Sequence, residues 1–252
     1  MKGNYIHITV LLLAAALAGS CGKKLVEESL TPSDLGTSAF VEADDNSLAG
    51  HCFDHHPGAA PETPSNPNST IWVGYIRDYN PGTDPFPCWN WSCHIYRGAF
   101  KFDMTPYKDK DILTAVLHLG VGQAKYESGG TTSNQGAWVK EVCLATNEWF
   151  NGPNPLVTSS LGELFACKAI PGMPELPHGL KPAVSDEFPV KFKGTMYSIE
   201  VTNIVRNWIK GVEPNLGMVL KGVNEKVVGE SNAKAMSPVS YIKLDISYFA
   251  PK

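Results

Sequence analysis

The chain has 252 residues, of which 43% are hydrophobic and 18% charged, with 23 glycines and 19 prolines. This composition excludes a collagen, a coiled coil and a wholly disordered chain, and the length suffices to bury roughly 70% or more of the surface that the unfolded chain exposes. The 25 acidic and 21 basic side chains give a net charge of −4. Because phosphate contacts require a basic stripe, no nucleic acid is expected as a partner.

The N-terminal segment is typical of a targeting signal. Lys2 precedes an apolar run over residues 8–17, which is about half the length that a membrane-spanning helix needs. The next residues, Ala18-Gly19-Ser20-Cys21, resemble the bacterial lipoprotein signal. That resemblance implies a signal peptide over residues 1–20, a lipid on Cys21, and a place in the bacterial envelope at the outer membrane or cell surface. The alternative is a conventional cleaved signal that leaves Cys21 as a spare thiol.

Residues 21–50 combine charged side chains and a turn signal at residues 31–34 with little hydrophobic periodicity. Such a segment favours a linker. We expect it to tether one globular domain that spans residues 51–252.

Five cysteines follow Cys21, and export implies an oxidising compartment. Two disulfides and one free thiol are the simplest arrangement. We expect Cys143 to pair with Cys167, because both lie in apolar, strand-like runs. For Cys52 two alternatives stay open: a bridge to Cys88 or Cys93, or a local Cys88–Cys93 bridge that leaves Cys52 free.

From residue 70 onward the hydrophobic pattern alternates with a period of two, which is typical of half-buried strands. Strands are predicted at residues 71–77, 97–104, 112–120, 139–145, 196–201, 218–221 and 241–248. Within residues 112–120 the side chains expected on one face are Leu113, Ala115, Leu117 and Leu119.

Residues 202–211 break this alternation. Thr202 is a favourable N-cap and Gly211 a natural stop. The apolar residues of one helical face are Ile204, Val205, Trp208 and Ile209. We predict one short helix of about two turns that closes one end of a β-sandwich, since many strands with almost no helix favour two packed antiparallel sheets.

Six motifs follow in order at residues 97–103, 114–119, 148–151, 198–211, 215–222 and 240–248. The first is Arg-Gly-Ala-Phe-Lys-Phe-Asp, the fourth ends in Trp-Ile-Lys-Gly, and the last contains Tyr-Ile-Lys-Leu-Asp-Ile. This series resembles the DNRLRE-domain family of secreted bacterial jelly-roll modules, some of which are classed as alginate-type carbohydrate-binding modules. The resemblance covers roughly residues 70–250. It implies an all-β, jelly-roll-like antiparallel sandwich with one short helix, and a polysaccharide ligand.

One stretch is crowded with aromatic residues: Trp72, Tyr75, Tyr79, Trp89, Trp91 and Tyr96. Sugar rings stack on such side chains, and a guanidinium pairs with a uronate carboxylate. The predicted ligand-binding residues are Arg77, Tyr79, Trp89 and Trp91. The alternative is that these rings fill the core of the sandwich.

Histidines form a second cluster. The candidate metal ligands are His51, Asp54, His55, His56 and His94. These residue types bind zinc, and a bridge from Cys52 to Cys88 or Cys93 would bring His94 beside the others. The spacing matches no standard zinc motif, and the alternative is a solvated histidine-rich loop.

The candidate carboxylate ligands for a structural cation are Asp78, Asp84, Asp103, Asp109 and Asp111. No cofactor is assigned, but a structural Ca²⁺ ion or adventitious Zn²⁺ is left open. Nucleophile-elbow, Walker and Rossmann motifs do not occur in the sequence, so we do not expect an enzyme.

Three functional hypotheses follow. The first is a non-catalytic surface lipoprotein that is held at the membrane through its N-terminal lipid and binds polysaccharide. In its most specific form, the polysaccharide is acidic and alginate-like. The second is a structural or adhesive scaffold whose partner is a surface protein. The third is a metal-dependent hydrolase at the histidine cluster.

Overall fold

The computed structural model describes residues 23–43, 71–81, 89–122, 124–128, 131–135, 139–148, 166–177, 183–185, 192–222 and 233–251. The strands within these residues are β1 (Lys23–Leu30), β2 (Asp34–Ala43), β3 (Ile71–Pro81), β4 (Trp89–Lys101), β5 (Ile112–Gly122), β6 (Ala124–Ser128), β7 (Thr131–Gln135), β8 (Val139–Ala145), β9 (Cys167–Ala169), β10 (Ala183–Ser185), β11 (Phe192–Glu200), β12 (Met218–Gly222) and β13 (Ala233–Pro251). A 3₁₀ turn spans Thr105–Tyr107, and the helix α1 spans Thr202–Ile209.

The strands form one antiparallel sheet that curls into two layers. One layer runs β10–β11–β5–β13–β1, and the other runs β9–β8–β12–β4–β2. Strand β3 pairs with both β13 and β4 and so joins the layers. The β6–β7 hairpin extends the sheet along the first half of β13. This is the all-β antiparallel sandwich that the alternating pattern predicts.

The core lies between the two layers. Phe100 and Phe102 are fully buried and meet edge to face, with their ring centroids 5.8 Å apart. Leu117 of β5 and Leu244 of β13 approach from the opposite layer. The even–odd alternation around residue 100 is confirmed, since Met104 is also buried while Asp103 is exposed.

The expected face of residues 112–120 needs one correction. Ile112 is buried, whereas Leu113 is only half-buried. The β13–β5 register shifts by one residue at this point: Ser247 pairs with Thr114, and Tyr248 pairs with Ile112. This irregularity reverses the alternation at the start of β5. The remaining positions of the predicted face are buried, namely Ala115, Leu117 and Leu119.

The predicted helix is confirmed, but Thr202 is not its N-cap. The cap position is Val201, and Thr202 is the first helical residue. The buried hydroxyl of Thr202 instead accepts a hydrogen bond from the backbone N–H of Ala115 at 2.8 Å. The helix ends before Gly211, whose φ of +68° favours glycine. Its apolar face closes over the core with Val205 completely buried.

The expected tether over residues 21–50 is wrong for residues 23–43. Strand β1 pairs with the last eight residues of β13, and β2 pairs with β4 over ten residues. A charged segment with weak periodicity forms edge strands here because each strand binds an existing neighbour through its backbone.

Two side-chain hydrogen bonds to Glu28 hold β1 in place. The carboxylate of Glu28 accepts a bond from the Tyr107 hydroxyl at 2.5 Å and another from the Tyr248 hydroxyl at 2.7 Å. These two donors hold the pKa of Glu28 below its ordinary value. Burial and the bond to Glu28 raise the pKa of Tyr107. The carboxylate therefore stabilises the edge strand in its ionised form.

The expected disulfide between Cys143 and Cys167 is present, with 5.7 Å between the two Cα atoms. It joins β8 to β9 on the side of that layer that faces away from the core. Ala99 and Val219, on the neighbouring strands, are fully buried in the same cluster. Cys52 and Cys88 lie outside the described residues, so their pairing stays a prediction.

Candidate functional site

The β3–β4 hairpin carries all four predicted ligand-binding residues. Its register sets Tyr79 directly opposite Trp91, and Trp89 opposite Pro81. Arg77 lies two residues before Tyr79 on the same strand. Residues that face each other across an antiparallel pair, and residues two apart on one strand, share a face of the sheet. Arg77, Tyr79, Trp91 and Trp89 therefore form one row on a single face, which we call the aromatic row.

The row has a defined order and length. A strand rises about 3.3 Å per residue, so the row extends over about 13 Å from Arg77 to the pair of Pro81 and Trp89. The basic residue stands at one end, and the three aromatic residues follow it.

The candidate metal ligands are divided by this geometry. His94 lies in β4 opposite Ile76, and hence on the other face of the ladder from the aromatic row. His51, Asp54, His55 and His56 lie outside the described residues, as does Cys21. Among the residues that the structure describes, no group of three or more His, Cys, Asp or Glu side chains could hold a metal ion.

The carboxylate of Asp103, proposed above for a structural cation, has a local partner. Its Oδ1 accepts a hydrogen bond from the backbone N–H of Thr105 at 2.9 Å. Hydrogen bonds from Thr105 lower the pKa of Asp103. Asp103 therefore binds the first backbone N–H of the short 3₁₀ turn that follows it. Asp109 and Asp111 are exposed.

The sequence reasoning missed a groove of about 570 Å³ between residues 170–177 and the edge formed by β11 and the start of α1. The wall at residues 170–177 contains three prolines and Met173. Polar side chains that line the groove include Glu175 on this wall and Ser198, Glu200 and Asn203 on the opposite one. This volume is within the range of small-ligand pockets. The available signal is the Pro-Gly-Met-Pro-Glu-Leu-Pro run at residues 171–177, which by itself indicates only a loop.

Two contacts hold the wall of the groove in place. The Tyr197 hydroxyl donates a hydrogen bond to the carbonyl oxygen of Pro177 at 2.5 Å. The N–H of Leu176 donates to the carbonyl oxygen of Lys140 in β8 at 2.7 Å. Burial raises the pKa of Tyr197 to about 12, so this hydroxyl stays protonated and keeps donating at physiological pH. The loop thus ties one layer of the sandwich to the other.

A serine, a histidine and an aspartate meet beside this groove. His118 Nδ1 lies 3.0 Å from Ser198 Oγ, and His118 Nε2 lies 3.0 Å from Asp245 Oδ2. The three residues come from adjacent strands β11, β5 and β13. They are separated by 80 and 127 positions in the sequence, so no local motif could have revealed them.

This trio has the residue types of a nucleophilic triad, but a triad also needs N–H donors for the oxyanion. The N–H of Thr202, at the start of α1, is already bound to Glu200 Oε1 at 3.2 Å. The contacts of His118 join strands β11, β5 and β13 across the sheet.

Comparison with protein-family models, curated proteins and solved structures found no match to the chain. Within the described residues, no helix is both long and apolar enough to cross a membrane.

Proposed function

We propose that the protein is a lipid-anchored module of the bacterial cell surface that binds polysaccharide without catalysing a reaction. The observation that carries this proposal is the aromatic row: three aromatic residues and one arginine share a single face of the β3–β4 hairpin. The resemblance to the DNRLRE-domain family points to the same class of ligand.

The chemistry of the row suits a chain of sugars. Aromatic rings present flat apolar surface to the C–H faces of pyranose rings, and backbone pairing in the hairpin limits the entropy that binding must remove. The aromatic residues occupy two successive levels along the strands, with Tyr79 and Trp91 at one level and Trp89 at the next. Successive levels would meet successive sugars. Affinity should therefore rise with oligosaccharide length until the row of about 13 Å is filled.

Arg77 is the reason that we expect the site to prefer acidic polymers. A guanidinium binds a carboxylate through two parallel hydrogen bonds, which a neutral sugar cannot offer. Alginate-like chains of uronates carry one such carboxylate on every sugar. We propose them as the preferred ligand, with Arg77 selecting the charge and the aromatic residues supplying the stacking.

The test is binding of the chain to alginate, polygalacturonate and a neutral glucan, measured by calorimetry. Trp89→Ala and Trp91→Ala should each weaken binding to all ligands, by roughly tenfold per lost ring. Arg77→Gln should weaken binding to the two acidic polymers only. Trp72→Ala is the matched control, because this tryptophan is 38% exposed and lies on β3 outside the row.

Two outcomes would refute the proposal. Binding that survives the row variants but is lost in Asn203→Ala would move the site to the groove beside β11. No binding to any of the three polymers, with the circular dichroism spectrum unchanged, would leave the scaffold hypothesis in its place.

A further inference from the structure

Two exposed apolar side chains lie directly opposite each other near the start of the described chain. Leu25 of β1 pairs with Phe249 of β13, and each is 36% exposed. The residues next to them, Val26 and Tyr248, pack against the core. Because side chains alternate along a strand, Leu25 and Phe249 belong to the outer face of the sheet.

This pair is unusual within the described residues, where the large hydrophobic side chains exposed to this degree are Leu25, Trp72, Val212 and Phe249. Lys23 and Lys24 precede the pair and are both exposed. By the same alternation Lys23 shares the outer face with Leu25, whereas Lys24 lies on the opposite face. We call Lys23, Leu25 and Phe249 the N-terminal patch. The next outward residue along β1, Glu27, is also exposed and bounds the patch on its far side.

The position of the patch suggests its partner. Strand β1 begins at Lys23 and is bound to β13 from that residue onward. Cys21 stands only two residues earlier, and two residues of fully extended chain reach about 7 Å. A lipid on Cys21 would therefore hold the N-terminal patch at the bilayer surface, since no long tether separates the two.

We infer that the N-terminal patch is a membrane-contact surface that mounts the domain directly on an anionic bilayer in one preferred orientation. Leu25 and Phe249 enter the boundary between headgroups and acyl chains, and Lys23 pairs with a lipid phosphate. The inference rests on the lipid anchor of the proposed function. It goes beyond that function by defining which face of the domain meets the membrane.

The test uses the full chain, produced in a Gram-negative bacterium and reconstituted in vesicles of phosphatidylcholine and phosphatidylglycerol that carry a diazirine on the acyl chain. After illumination, lipid adducts are located by peptide mass spectrometry. We expect adducts on Leu25 and Phe249 in several-fold excess over those on Val212, which is 68% exposed and serves as the internal control.

Variants sharpen the comparison. Leu25→Gln with Phe249→Gln should lower labelling of residues 23–30 and 244–251 by about tenfold or more, because each change removes apolar surface that the bilayer would cover. Val212→Gln should leave that labelling unchanged. Lys23→Gln should lower it on anionic vesicles but not on pure phosphatidylcholine.

The same spectra separate the possible failures. An acylated Cys21 without adducts on the patch would overturn the inference and leave the anchor intact. An unmodified Cys21 would overturn both. Self-association in sedimentation that disappears in the Leu25→Gln/Phe249→Gln variant, without lipid adducts, would assign the patch to a second copy of the chain and refute the membrane contact. Glycan binding is measured in solution and depends on none of these results.

Discussion

Gly217 offers the sharpest test of the packing between β4 and the start of β12. Its φ is +88°, and a Cβ atom built at this position would lie 2.5 Å from the carbonyl oxygen of Phe100. The residue is also held from both sides. Its N–H bonds to Asn215 Oδ1 at 3.3 Å, and its carbonyl oxygen accepts the N–H of Ala145 at 3.1 Å. Neither Gly217 nor the β4 backbone can therefore move freely to admit a methyl group.

Gly211 provides the matched control. It also has a positive φ, +68°, but a Cβ atom there would meet nothing within 4 Å. A left-handed conformation costs a non-glycine residue about 1–2 kcal/mol, and the stiffer unfolded chain of an alanine variant offsets about 0.4–1 kcal/mol of this. Gly211→Ala should thus destabilise the protein by about 1 kcal/mol. Gly217→Ala adds an overpacking cost of about 1–3 kcal/mol, for a total of about 2–4 kcal/mol.

Thermal and urea unfolding, followed by circular dichroism, would measure both variants. For a domain of this size, 1 kcal/mol corresponds to about 2–4 °C in Tm. We expect a loss of about 3 °C for Gly211→Ala and of about 6–12 °C for Gly217→Ala. Equal losses for the two variants would show that backbone conformation alone sets the cost, and would refute the close approach of Gly217 to β4.

Three further predictions concern the contacts that join distant segments. Replacing both Cys143 and Cys167 by alanine should cost about 3.5 kcal/mol in urea unfolding, since the bridge closes a loop of 24 residues; an effect below 1 kcal/mol would contradict this. Thr202→Val should cost about 1–3 kcal/mol, because it leaves the N–H of Ala115 unpaired, and Thr202→Ser should recover most of that loss. Glu28→Gln should lower Tm at pH 7. The lowered pKa of Glu28 means that its contribution is full above its ordinary pKa of 4.5 and is lost as the pH falls through the folded-state value. The difference in Tm between wild type and variant should therefore shrink on acidification below pH 4.5, and a constant difference down to pH 2 would contradict the ionised hydrogen-bonded carboxylate.

Short-range patterns in the sequence predict much of the fold. The strand predicted at residues 139–145 is confirmed as β8, and the spacing of Ile204, Val205 and Trp208 predicts the buried face of α1. Gly211 ends the helix because its conformation suits glycine, which is a property of the residue itself. The Cys143–Cys167 bridge follows from two apolar runs that form paired strands.

Short-range patterns predict the candidate site only in part. The chemistry of Arg77, Tyr79, Trp89 and Trp91 is visible in the sequence, but a shared face requires the β3–β4 register. The groove beside β11 forms because Tyr197 binds residue Pro177 across a gap of twenty positions. The sequence shows only the loop that forms one wall of this groove. The ligand chemistry of the groove also depends on β11 and α1, which form the other wall.

The tertiary structure was needed for every feature that depends on contacts between distant parts of the chain. Residues 23–30 have the composition of a linker, and they become a strand only because the end of β13, more than 200 positions away, presents an edge to pair with. Leu113 departs from its expected face because β13 imposes an irregular register on β5. Thr202 has the side chain of a helix cap, but Ala115 offers its hydroxyl a buried partner. Periodicity and capping are properties of neighbouring residues along one chain, whereas these three outcomes depend on which segment happens to lie alongside.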